Sequence, residues 1–82
     1  MVMESKLKLN EGETLNLKNH RMKGSLQETD IWSYDILNKN GETVGTVVHT
    51  DHTAIKGFLR TQSVEQRDIS GKVMVYLSWS GD

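Results

Sequence analysis

The sequence contains no cysteine and no proline, and alanine occurs once, at position 54. The lack of cysteine excludes a disulfide framework, a thiolate metal site and a cysteine nucleophile. Because alanine is the best helix former, its scarcity argues against a helical domain. No apolar run approaches the ~20 residues of a membrane-spanning helix, and the first residues, MVMESKLK, lack the apolar stretch of a signal peptide. We therefore expect a cytoplasmic protein without a membrane span.

Charge of neither sign dominates the chain. Ten Lys and Arg residues stand against eleven Asp and Glu residues, which gives a formal net charge of −1. A chain with this balance has no global field that would attract nucleic acid. The 82 residues predict a single small β domain spanning 1–82. A domain of this size buries only ~60 to 65% of its unfolded surface, so association with another chain would add stability.

The residues that are abundant favour strands. Valine and threonine, which are stiff at χ1 and suited to a pleated surface, each occur seven times. The sequence predicts an all-β fold, an antiparallel meander of about five or six strands that forms a small barrel or sandwich. The alternative is an α+β fold with one short helix near 52–62. There, Ala54, Ile55, Phe58 and Leu59 have helical spacing and Asp51 could cap the helix.

Alternating leucines predict a hairpin at the start of the chain, in the segment KLKLNEGETLNLK. Pairing Leu9 with Leu15 and Leu7 with Leu17 places four leucines on one face. The next segment, HRMKGS, is polar and contains glycine, so we expect a loop there. After this segment we expect a long strand over about residues 25–38, because the residue types there favour strands.

Asn40-Gly41 is the clearest turn signal, because both central positions of a type I′ turn need positive φ. This turn would place Lys39 opposite Glu42. The resulting cross-strand pairs are Leu37 with Val44, Asp35 with Thr46, Tyr34 with Val47, Ser33 with Val48, Trp32 with His49 and Asp30 with Asp51. A second turn, type I with a glycine bulge, is predicted at 68–71, before the last strand KVMVYLSW.

This register makes both faces of the central hairpin partly apolar. One face carries Trp32, Tyr34, Ile36 and Val47. The opposite face carries Ile31, Leu37, Val44 and Val48. A single sheet with one wet face should alternate cleanly, so we predict that the second set contacts a partner protein or a second copy in a homodimer. On this hypothesis the chain is a non-enzymatic binding module, and Val48→Lys would disrupt association while leaving a folded monomer.

The strongest chemical candidate is the segment His49-Thr50-Asp51-His52. In a strand His49 and Asp51 share a face, with Asp30 opposite Asp51, and such groups can bind zinc or act as a general base. The simpler interpretation is that His49 packs on Trp32 and Asp51 caps the next segment. Because no spacing completes a three-ligand site and no GxSxG or phosphate-binding glycine motif is present, we predict no enzyme activity, no metal and no cofactor. His20 is distant in sequence and adds little.

A basic stretch near the start suggests another alternative, a small β-barrel that binds nucleic acid. Its residues are Lys6, Lys8, Lys18, Arg21 and Lys23. Basic residues can follow a phosphate backbone, but single-stranded nucleic acid usually also needs aromatic platforms, which this stretch lacks. Lysines on an edge strand also prevent a small sheet from pairing with its neighbours. We therefore favour a protein partner.

Overall fold

The computed structural model describes residues 4–26, 28–54, 57 and 59–81 of the chain. A 3-10 turn at Glu4–Lys6 precedes five strands. The strands are β1 (Thr14–Lys23), β2 (Thr29–Leu37), β3 (Thr43–Thr53), β4 (Arg60–Asp68) and β5 (Val73–Ser80). They form one sheet in the order β1-β2-β3-β4-β5, with every pair antiparallel. The predicted all-β antiparallel meander is confirmed.

The sheet formed by the described residues is open, with β1 and β5 at its edges. The prediction of a barrel or sandwich is therefore wrong. Its basis was that both faces of the central hairpin are partly apolar. Only one face of the sheet carries the buried core, which consists of Ile36, Val47 and Val64. We call this side the core face and the other side the open face.

The second layer over the core face comes from the start of the chain, where a hairpin strand was predicted. Residues 7–10 are not a strand. Instead, the Lys8 backbone N–H donates to Oε1 of Gln66 at 2.8 Å, and Nε2 of Gln66 donates to the Lys8 carbonyl at 2.8 Å. Leu7 and Leu9 pack against the core cluster. Leucine alternation correctly placed Leu7, Leu9 and Leu15 against the core, but Leu17 is 55% exposed, and a side-chain amide replaces the predicted backbone ladder.

The predicted loop or bend at HRMKGS is wrong for residues 20–23, because β1 continues through Lys23, and the bend is confined to Gly24 and Ser25. Leu15 pairs with Ile36 in β2, and Arg21 pairs with Ile31. A bulge between Leu17 and Asn19 interrupts this ladder. The polar sequence is compatible with a strand because β1 lies at an edge, where most side chains face water.

The turn between β2 and β3 differs from the predicted type I′ turn. The Gly41 N–H donates to the Asn38 carbonyl at 2.9 Å, so Asn38, rather than Lys39, lies opposite Glu42. Gly41 has φ of +82°, which fits the left-handed glycine of the bulge that follows a type I turn in a hairpin. A bulge in β3 at the residue before Gly45 compensates for this difference, so the pairs beyond it have the predicted register. The pairs from Asp35 to Asp30 are therefore as predicted, whereas Leu37 pairs with Thr43 instead of Val44.

The described residues between β3 and β4 do not form the helix that was predicted as an alternative. β3 continues to Thr53 and β4 begins at Arg60, and the Ala54 N–H donates to the Leu59 carbonyl at 2.7 Å. Ile55 and Phe58 of the predicted helical stripe lie outside the described residues. The predicted turn at 68–71 is confirmed, since the Gly71 N–H donates to the Asp68 carbonyl and Gly71 has φ of +92°. No helix in the described part of the chain is long and apolar enough to cross a membrane.

Candidate interaction surface

Four rings stack in a row along the core face, one from each strand except β4. The ring centroids of His20 and Trp32 are 4.9 Å apart, those of Trp32 and His49 are 5.1 Å apart, and those of His49 and Trp79 are 6.1 Å apart. The prediction that His49 packs on Trp32 is confirmed. His20 joins this row although it is distant in sequence, because the β1–β2 register places it directly beside Trp32.

Polar partners hold this ring row in place. His20 Nε2 lies 2.9 Å from the Asp30 carboxylate, and His49 Nε2 lies 2.8 Å from Oε1 of Gln62. The buried Gln62 also donates from Nε2 to the Gly81 carbonyl at 2.6 Å. Gln62 belongs to β4, the strand that contributes no ring to the row. Lys6 Nζ lies 4.6 Å from the ring centroid of Trp79, within the range of a cation–π contact. The row therefore acts as a cross-strand support for the sheet.

The structure divides the predicted His49-Asp51-His52 site between the two faces of the sheet. His49 and Asp51 lie on the core face, whereas His52 lies on the open face and contacts the Thr29 hydroxyl through Nδ1 at 2.6 Å. Asp30 lies opposite Asp51 as predicted, but its carboxylate contacts His20. The described residues include no group of three or more His, Asp or Glu side chains arranged to hold a metal ion.

Asp51 has a different role from the predicted helix cap. It is buried within β3, and its carboxylate accepts hydrogen bonds from Nε of Arg60 at 2.9 and 3.0 Å and another from the Arg60 Nη2 group. The hydrogen bond from Arg60 lowers the pKa of Asp51 below its ordinary value, although burial acts in the opposite direction. The pair fastens the start of β4 to the end of β3.

The four residues of the predicted interaction face do not all lie on one exposed surface. Val48 lies on the open face and is 37% exposed, while Ile31 and Leu37 are half-buried. Val44 packs against the core cluster, so its placement on the opposite face is wrong. The bulge in β3 beside Val44 breaks the alternation from which that placement was inferred.

The five basic residues of the nucleic-acid alternative lie at opposite sides of the sheet. Lys18, Arg21 and Lys23 belong to the edge strand β1. Lys6 lies over Trp79 of β5, and the Lys8 backbone is bound by Gln66 of β4. The described structure therefore separates these residues into two groups.

β5 is the most unusual surface element of the molecule. This eight-residue strand, VMVYLSWS, lies at an edge of the sheet and contains no charged residue. Tyr76 on the open face is 62% exposed and Leu77 on the core face is 43% exposed, and Val73 and Met74 are also exposed. An edge strand presents unpaired N–H and C=O groups on its outer side, so β5 combines backbone partners with apolar side chains on both faces.

β1, at the other edge, has the features that normally prevent strand pairing. It carries Lys18, Arg21 and Lys23, all exposed, and the bulge between Leu17 and Asn19 interrupts its regular ladder. Charges and bulges are the usual protection of edge strands. Both edge strands contain a bulge, which in β5 lies between Val73 and Val75. The two edges of the sheet therefore differ in charge, since β1 carries basic residues and β5 carries no charged residue.

The β5 edge was missed by reasoning from the sequence, although its signal was present. The last strand of a meander lies at an edge unless the sheet closes, and the segment 73–80 has no charge. Because a closed barrel was predicted, no edge strand was expected. No protein-family model, curated protein or solved structure shows a significant match to this chain.

Proposed function

We propose that this protein is a non-enzymatic binding module that engages a partner protein by adding one of the partner's strands to β5. The observation that carries the proposal is the uncharged edge strand with exposed apolar side chains on both faces. The partner's chemistry follows from this edge. It must supply an extended segment without charges and with apolar side chains that can contact Tyr76 and Leu77.

The backbone of β5 already has the extended conformation that pairing with another strand requires. Its inner side is paired with β4 from Thr61–Ser80 to Arg67–Val73, with one bulge between Val75 and Val73, so the strand is already extended. In an antiparallel ladder alternate residues direct both backbone groups to the same side, so about four of the eight residues direct theirs outward. An added strand would satisfy these groups without reorganising the sheet, which is the recognition mode called β-augmentation.

The side chains of β5 provide the apolar part of the contact. Tyr76 is adjacent to Leu77 in sequence, and the two project to opposite faces, so a strand paired with β5 would contact one on each face. Burying a large apolar side chain contributes roughly 1.5 to 3 kcal/mol, and ordering and lost rigid-body freedom offset part of this gain. The ring row strengthens the same edge, because Trp79 of β5 stacks on His49 of β3.

A titration with a strand-forming peptide tests the proposal. The probe is a synthetic peptide of alternating valine and threonine with a lysine at each end, and the control peptide has a central proline that prevents pairing. We expect the first peptide to shift the backbone amide NMR signals of β5, and the control peptide to leave them unchanged. Leu77→Lys should abolish the shifts because it places a charge on the edge.

Leu17→Lys is the matched control, since Leu17 is 55% exposed on β1 at the other edge of the sheet. This variant should bind the peptide as the wild type does. Tyr76→Lys gives a second test from the open face in case Leu77→Lys alters the fold. The proposal is wrong if the peptide does not shift the β5 signals of a chain that sedimentation shows to be monomeric, or if the shifts persist in both Leu77→Lys and Tyr76→Lys.

A further inference from the structure

We infer that the partner strand is β5 of a second copy of this chain, so that two sheets join into one ten-stranded antiparallel sheet. The inference rests on the proposed function and names its partner. Each chain contributes five strands with β5 at an edge. Pairing β5 with itself in the antiparallel sense produces a two-fold symmetric contact, which is the commonest arrangement of soluble homo-oligomers.

Self-pairing of β5 brings no like charges together. The strand contains Val73, Met74, Val75, Tyr76, Leu77, Ser78, Trp79 and Ser80, all of them neutral. Like charges opposite each other destabilise an antiparallel pair, so charge repulsion does not oppose the pairing of β5 with its own copy. The same pairing at β1 would place Lys18, Arg21 and Lys23 of one chain against those of another.

The difference between the two edges also limits the assembly to two chains. Pairing of β5 with β1 of the next molecule would be heterologous, and repetition of that contact would produce an open filament. The bulge between Leu17 and Asn19 and the basic residues of β1 oppose this contact. A β5–β5 pair leaves only the two protected β1 strands at the outer edges, so the joined sheet has no unprotected edge.

Side-chain burial favours the same arrangement. Tyr76 and Leu77 lie near the middle of β5, and a two-fold axis through that region brings each close to its own copy. On the open face Tyr76 pairs with the charged Glu65, which separates it from Val48, so the apolar surface around Tyr76 is confined to the edge strand. On the core face Leu77 continues the apolar layer formed by Val64.

Sedimentation equilibrium of the full chain tests the inference, together with cysteine cross-linking. The wild type should form a dimer, and Leu77→Lys or Tyr76→Lys should raise the dissociation constant about tenfold or more, whereas Leu17→Lys should leave it unchanged. Because the chain has no cysteine of its own, a single introduced thiol can form a disulfide only with its copy. We expect oxidation to cross-link one or two of the central variants Val75→Cys, Tyr76→Cys and Leu77→Cys, but not Leu17→Cys.

The result distinguishes this inference from the proposed function. A chain that remains monomeric at every concentration while the peptide still binds β5 would overturn the second-copy inference and leave the proposed function intact. Loss of both properties would overturn both. A dimer that cross-links through Leu17→Cys instead of the β5 variants would place the interface at β1 and would also overturn the inference.

Discussion

Asp51 is a buried carboxylate whose charge depends on one neighbour, the Arg60 guanidinium. Because the pKa of Asp51 is lower in the folded chain than in the unfolded chain, the stabilisation is complete above the unfolded pKa of about 4. It is lost as the pH falls through the lowered pKa of the folded state. Arg60 is 40% exposed, so solvent screening limits the contribution at neutral pH to about 1 kcal/mol.

We predict that Arg60→Gln lowers the free energy of unfolding by about 1 kcal/mol at pH 7 and has a smaller effect below about pH 4. Urea denaturation of both proteins at pH 7 and at several pH values below about pH 4 measures the difference. Arg67→Gln is a control, since Arg67 forms an exposed pair with Glu65 and that pair should contribute little. A difference that stayed constant down to low pH would mean that Arg60 acts through packing rather than through the charge of Asp51.

At the scale of elements, the segment 7–10 is hydrogen-bonded to the sheet through the side chain of Gln66. Gln66 is buried and makes two hydrogen bonds to the Lys8 backbone, one as a donor and one as an acceptor. Leu7 and Leu9 depend on this attachment for their position over the core. The segment therefore covers the core face without belonging to the sheet.

Replacing Gln66 with methionine keeps the side-chain volume but removes both hydrogen bonds. We predict that Gln66→Met lowers the free energy of unfolding by about 1 to 3 kcal/mol, because the Lys8 backbone groups lose their partners. Lys8→Ala should have little effect, since Lys8 is exposed and only its backbone is bound. Chemical denaturation measures both effects, and equal stability of Gln66→Met and the wild type would contradict this role of Gln66.

The same elements show which features could be predicted from the sequence. The register from Asp35 to Asp30 was predictable, because apolar residues of β2 and β3 must share the core face. The position of Leu7 and Leu9 was only half predictable, since alternation indicates burial but does not distinguish a strand from a segment held by Gln66. β1 was shortened in the prediction because an edge strand has little apolar pattern to reveal it.

The candidate site was predictable to a similar degree. Stacking of Trp32 on His49 follows from the β2–β3 register, but the addition of His20 and Trp79 depends on pairings with β1 and through β4. Val44 was misplaced because a bulge alters alternation locally and leaves no strong signal in the sequence. The β5 edge depends on whether the sheet closes, which is a property of the whole molecule.

At the scale of the whole molecule, two kinds of contact with a partner can be distinguished. One is docking on the open face, as the sequence predicts, and the other is addition of a strand to β5. Val48 and Tyr76 both lie on the open face and both pair with Glu65. Val48 is on the central strand β3, whereas Tyr76 is on the edge strand β5. The same substitution at these two positions therefore separates the two modes.

We predict that Val48→Lys remains folded and associates nearly as the wild type does, whereas Tyr76→Lys is monomeric. Val48 is 37% exposed and Glu65 is its neighbour, so a lysine there can reach solvent and approach an opposite charge. At Tyr76 the lysine would lie close to its own copy on the same face of the joined sheet, and neighbouring like charges destabilise a strand pair. Sedimentation measures association, and far-UV circular dichroism should show the same β spectrum for both variants. If Val48→Lys dissociates the protein and Tyr76→Lys does not, association occurs through the open face and the β5 interface is wrong.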